Sequence, residues 1–133
     1  MCEDPWWIIG SAAVALHGAA AGEVADIDII VSPRDFARLE AAGHLQSVHD
    51  RTRDHFNSAH FGRGSASGME VEFFAELKVN SGGTWHLVSF EGAEIITCDG
   101  AAVRVPAKAD LIGLLELFGR EKDLQRAAAL RDN

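Results

Sequence analysis

The sequence predicts an α+β fold: a mixed β-sheet with helices packed on it, closed by two C-terminal helices. Three observations carry that class. A β-favouring run, a helix-favouring run and a second apolar strand follow one another within the first 31 residues. Alternation of polar and apolar residues then marks strands through the middle of the chain. Near the end, Leu111, Leu114, Leu115 and Phe118 form an i, i+3, i+4, i+7 stripe that only a helix would bury on one side. Nothing rich in Pro, Gly or Ser divides the 133 residues, so a single domain, 1–133, is expected.

Taken in order, residues 6–9 ("WWII") read as a strand ended by Gly10-Ser11. Ser11 is the expected N-cap of a helix over "SAAVALHG", which stops at Gly18. "IDIIV" reads as a buried strand. "SPRDFARLEAAG" follows as a helix, with Ser32 as N-cap, Pro33 at the first helical position and Gly43 as the stop. In the middle, "HFNSAHF" alternates weakly and "GRGSASG" (62–68) is expected to be a turn or mobile loop. "MEVEFFAEL" is a strand with Glu70 and Glu72 on one face. "SGG" breaks the chain before "TWHLVSF", short strands follow at "EIIT" and "AVRV", and Pro106 ends them. From Ala107 the pattern is helical twice over, with Gly119 between the helices.

Composition narrows the class of partner. Hydrophobic residues make up 47% and charged residues 24%, an ordinary globular balance. A net charge of −8 argues against broad electrostatic binding to nucleic acid. Cys2 and Cys98 lie far apart with no metal-type spacing and are expected to remain thiols in a reducing cytoplasm. No apolar run reaches the roughly 18 residues a membrane span needs, and "MCEDPWW" lacks the basic and apolar regions of a signal peptide. A cytoplasmic protein with no membrane association is the expectation.

The chemistry starts at "VADIDIIVSP". Asp26 and Asp28 project from the same face of a strand and repel each other unless a cation lies between them. Two such carboxylates suit a hard divalent cation such as magnesium, which takes oxygen ligands. A third carboxylate would strengthen the site, and Glu70 or Glu72 on a neighbouring strand could supply it. Gly10-Ser11, between a strand and a helix N-terminus, can cradle a phosphate on backbone N–H groups, with the Ser11 hydroxyl as a further donor. The six histidines show no metal-ligand spacing; His17 reads as a packed or capping residue, and His44, His49, His55, His60 and His86 take no assigned role. The phosphatase class that opens on Asp-x-Asp does not fit, because there the apolar strand precedes the pair, whereas here it follows.

"WWIIGSAAVALHG…ADIDIIV" resembles the opening signature of the nucleotidyltransferase superfamily related to DNA polymerase β, in which a strand, a Gly-Ser turn, a short helix and Asp-hydrophobic-Asp follow in that order. "VEFF" matches the later acidic position, which favours Glu72 over Glu70. "VPAKADLIGLLELFGREKDLQRAAAL" is similar to the ending of small bacterial members. The resemblance implies that Gly10 and Ser11 hold a nucleoside triphosphate, with Arg120 and Lys122 as further phosphate contacts. It implies that Asp26, Asp28 and Glu72 bind Mg2+ and form the catalytic set. The implied reaction is transfer of a nucleotidyl group to a hydroxyl acceptor on RNA, protein or a small molecule. The sequence departs from the family in placing Glu, one methylene longer than the usual Asp, at the third acidic position, and Leu115 or Glu116 where a basic residue is common. The alternative is a catalytically silent nucleotide-binding or protein-interaction module, for example a toxin–antitoxin component. At this length a homo-oligomer or protein partner would complete the cleft.

Overall fold

The computed structural model describes residues 2–48 and 56–133; His49 and His55 lie outside them. In chain order the elements are β1 (Trp7–Ile9), α1 (Gly10–Leu16), β2 (Asp26–Val31), α2 (Pro33–Ala41), β3 (Gln46–Ser47), β4 (Phe56–Ala66), β5 (Met69–Ser81), β6 (Thr84–Leu87), β7 (Glu94–Cys98), β8 (Ala101–Val105), α3 (Lys108–Phe118) and α4 (Glu121–Arg131). Contacts divide the chain into two compact units, Met1–Trp6 with Ala25–Val88 and Trp7–Val24 with Ser89–Asn133. The α+β class with a mixed sheet is borne out.

The first unit is built on strands in the order β2–β5–β4–β3, with β6 also pairing β5. β2 runs parallel to β5, while the β4–β5, β3–β4 and β5–β6 pairs are antiparallel. Alternation sets the two faces. Val71, Phe73 and Ala75 of β5 and Val31 of β2 point one way into a core with Phe36, Leu39 and Leu45, against which Ile27 and Ile29 also pack. Helix α2 covers that core because Phe36 and Leu39 fall on one side, i and i+3. Its start follows expectation: the Ser32 hydroxyl accepts from the Asp35 N–H at 3.0 Å, and Pro33 occupies the first turn.

Asp35 is fully buried, which nothing in the sequence pattern announces. Its two carboxylate oxygens accept from the backbone N–H groups of Glu3 (3.1 Å) and Asp4 (2.9 Å). Asp4 in turn accepts from the Ser32 hydroxyl at 2.6 Å and from the Arg34 guanidinium. The N-terminal segment is thus tied to the start of α2 through charge-assisted hydrogen bonds.

The expected loop at 62–68 is instead strand. β4 runs to Ala66 and pairs with β5 down to Ala66↔Met69, so the turn is only Ser67-Gly68, both at positive φ (53° and 80°). The glycines that suggested mobility serve close approach. A Cβ on Gly64 would lie 2.2 Å from the His44 carbonyl oxygen, and one on Gly62 would lie 2.7 Å from Leu45 Cδ1. Only glycine lets the two-residue strand β3 lie against β4 there.

The second unit holds β1, α1, the β7–β8 hairpin, α3 and α4, with β1 beside β8 and α1 beside both C-terminal helices. Its core contains Val14, Val105, Leu111, Leu115 and Leu130, all nearly or fully buried. α3 ends at Gly119, which turns left-handed (φ 72°) as its expected stop. α1 begins earlier than expected, its N-cap two residues before Ser11. Gly10, at φ 70°, makes the turn from strand to helix, Ile9 precedes it without a side-chain cap, and Ser11 lies inside the first turn rather than at the N-cap. His17 is packed as expected: its Nε2 lies 2.8 Å from the Pro106 carbonyl oxygen. Among the described residues no helix is long and apolar enough to cross a membrane.

Candidate active site

Strand pairing brings the acidic residues together. On β2, Asp26 and Asp28 share the face opposite the core, because Ile27 and Ile29, which alternate with them, turn inward. On β5, Glu70 and Glu72 do the same. The parallel register sets Asp26 against Glu70 and Asp28 against Glu72. One carboxylate oxygen from each of Asp26, Asp28 and Glu72 lies within 4.8 Å of the others, and all three residues are half-buried. Glu70 is not part of that group.

Like charges this close repel by roughly 1 to 4 kcal/mol per pair, depending on how much water reaches them. Such a cluster persists because the strands are fixed by the core behind them rather than by the carboxylates themselves. Three converging carboxylate oxygens are hard anionic donors, the set that a divalent cation such as magnesium or calcium takes.

One cation beside the cluster escaped the sequence reading. Arg63 of β4 is directly across from Glu72 of β5 in the antiparallel ladder, so both side chains leave the same face. Its Nε lies 3.2 Å from Glu70 Oε1 and 3.6 Å from Glu72 Oε2. The guanidinium also lies over the Phe61 ring, 5.5 Å from its centroid, and Phe61 itself packs against Phe74 at 5.0 Å. The signal was available: once 62–66 is read as strand, Phe61, Arg63 and Ser65 alternate onto one face. Beside Arg63, an open cleft of about 500 Å³ is lined by His44, Gln46 and Ser65 among others.

The remaining expected site residues belong to the second unit. Gly10 and Ser11 form the turn into α1. Arg120 precedes α4 and its guanidinium donates to both oxygens of Asp123, at 2.6 and 3.1 Å; Asp123 is 1% exposed. That pairing gives Arg120 a structural task that the sequence reading did not assign. Lys122 is exposed on the first turn of α4. Leu115 is fully buried, and Glu116 pairs with Arg131 on the surface.

No protein-family model matches the sequence, and no curated protein matches it significantly. Solved structures do match. A "putative nucleotidyltransferase" from Thermotoga maritima superposes with a TM-score of 0.68 over 98% of this chain and 81% of its own, at 23% identity. The antibiotic-resistance factor ANT(2'')-Ia gives 0.58 over 96% of this chain and 74% of its own, at 12% identity. The lincosamide antibiotic adenylyltransferase LnuA, bound to lincomycin, gives 0.54 over 96% and 85%, at 14% identity. At such identities the likeness is one of fold, and the chain has a nucleotidyltransferase-like fold.

Proposed function

We propose that the protein is a magnesium-dependent nucleotidyltransferase, moving a nucleotidyl group from a nucleoside triphosphate to a hydroxyl acceptor. The observation that carries this reading is the convergence of Asp26, Asp28 and Glu72, from two parallel strands, to within 4.8 Å. A fold shared with structures named as nucleotidyltransferase and adenylyltransferase supports it.

Asp26, Asp28 and Glu72 are the residues that would hold the metal. When bound, magnesium would offset the charge that builds on the α-phosphate and on the leaving oxygen. The protein's own task is then positional. Asp28 and Glu72 orient the acceptor hydroxyl, and a carboxylate oxygen of Glu72 accepts its proton as the hydroxyl oxygen attacks the α-phosphorus. The new P–O bond forms as the bond to the bridging α–β oxygen breaks, and pyrophosphate leaves. The fixed strands hold these groups in place before reaction, which is where electrostatic preorganisation has its effect.

Gly10, Ser11, Arg120 and Lys122 form a separate claim, that residues of the second unit contact the triphosphate. For Ser11 the expected loss on Ser11→Ala is about tenfold in ATP affinity, roughly the worth of one hydrogen bond to a charged group. Arg120→Ala is a poor probe of this role because it also strips Asp123 of its partner.

Isothermal titration with ATP and magnesium, comparing wild type with the Asp26→Ala, Asp28→Ala double variant, tests the whole reading. Metal-dependent binding by wild type, its loss in the variant, and pyrophosphate release with an acceptor are the expected results. Metal-independent binding without turnover would instead describe a nucleotide-binding module, and no binding would remove the nucleotide altogether.

A further inference from the structure

We propose that Arg63 is a positioning residue, which holds Glu72 in the orientation that sets the choice of cation at the carboxylate cluster. The proposal rests on the metal-site reading above and adds a residue and a property to it. Glutamate is longer than aspartate by one methylene and has one more rotatable bond, so its carboxylate needs an external restraint to meet a fixed site. Arg63 supplies one from the neighbouring strand. The ladder places it directly opposite Glu72, and its Nε approaches Glu72 Oε2 at 3.6 Å.

The restraint is itself anchored. Glu70 holds the same Nε at 3.2 Å, and the Phe61 ring lies under the guanidinium. Glu70 and Glu72 are i, i+2 on one face, and a single planar cation between them offsets their repulsion and fixes both. The Glu72 side chain is only 14% exposed, against 51% for Glu70, so the sheltered member of the pair is the one that joins the cluster. Groups that orient metal ligands from outside the coordination shell commonly change metal affinity by about 10- to 100-fold when removed.

Charge and position can be separated, because every divalent cation carries the same charge. Loss of Arg63 as a charge would shift the affinity for Mn2+ and for Ca2+ by one common factor. Loss of Arg63 as a restraint would change their ratio. Small cations demand near-octahedral geometry, while Ca2+ accepts six to eight oxygens in flexible arrangements, so a freed Glu72 favours the larger ion.

The test is titration of the full chain with Mn2+ alone, followed by electron paramagnetic resonance of the free ion, and with Ca2+ in competition. In Arg63→Ala the ratio of Ca2+ to Mn2+ affinity is expected to rise about fivefold or more. Arg63→Lys, a point charge without the planar fork, is expected to rise nearly as far. Glu70→Gln, which loosens the anchor alone, is expected to shift the ratio the same way by less. Circular dichroism melts confirm folding, and Glu70→Gln keeps the test open if Arg63→Ala does not fold. Equal shifts for both ions, or no shift, overturn the positioning role while leaving the metal site intact. Failure of wild type to bind Mn2+, or binding that Asp28→Asn does not weaken, overturns the metal site and the positioning role with it.

Discussion

Asp26 and Asp4 are both partly sheltered aspartates, and their surroundings give them opposite consequences. Asp26 shares a face with Asp28, Glu70 and Glu72, so neutralising it relieves repulsion. Asp26→Asn is expected to leave the metal-free protein more stable than wild type, by about 1 kcal/mol or more. If the proposed metal site is right, magnesium is expected to raise the melting temperature of wild type, by binding only the folded state, and Asp26→Asn is expected to abolish that rise. Thermal melts with and without magnesium check both halves. A loss of stability in the metal-free variant would mean that Asp26 is held by favourable contacts rather than by the strand. Asp4 instead gains from its neighbours: the Arg34 guanidinium first, then the Ser32 hydroxyl, hold its carboxyl below the usual aspartate value. A group lowered in the folded state contributes stability that is present above its unfolded value and fades as pH falls through the folded one. The N-terminal segment is therefore expected to loosen as pH falls below the ordinary aspartate range and to detach only below the lowered value of Asp4. Fluorescence of Trp6, which packs against the core of the first unit, follows the change, and Asp4→Asn removes that acid limb.

At the scale of elements, glycines 62 and 64 separate what the sequence showed from what it concealed. Helix α2 was legible because its Ser-Pro start and i, i+3 apolar positions are local signals. Strand β5 was legible because alternation is local too. The 62–68 stretch was misread because Gly, Ser and Ala signal turns locally, while the reason for Gly62 and Gly64 is a partner strand that no local pattern reveals. Arg63 was hidden by the same error, since its place opposite Glu72 exists only once β4 is extended. The convergence of Asp26, Asp28 and Glu72 was legible because the order of motifs along the chain carried it. Gly64→Ala is expected to cost about 3 kcal/mol or more, because backbone must move to relieve a 2.2 Å contact. Gly68→Ala, at a positive φ with open space around it, is expected to cost about 1 kcal/mol. Denaturant unfolding ranks the two, and a reversed order would place the β3–β4 pairing outside the folded core. In α4, Arg120→Ala leaves the buried Asp123 carboxylate without its guanidinium, and a loss of about 3 kcal/mol is expected on the same measurement.

For the molecule as a whole, the net charge of −8 bears on how it would meet the anionic substrate of the proposed reaction. A nucleoside triphosphate carries negative charge even with magnesium bound, so the long-range field of this chain opposes its approach. Only a cation held at the carboxylates, as proposed, and short-range contacts would favour it. Screening weakens the long-range term first: the Debye length falls from about 30 Å at 0.01 M salt to about 8 Å at 0.15 M. Proteins that bind nucleic acid through basic surfaces lose affinity as salt rises, by large powers of its concentration. The opposite slope is expected here, with the Kd for ATP and magnesium falling about twofold or more between those two salt concentrations. Titrations at a saturating, fixed magnesium concentration measure it without confusing screening with loss of the metal. A Kd that rises steeply with salt would show that triphosphate is drawn in by a local basic surface, and the cation at the carboxylates would then be secondary to it.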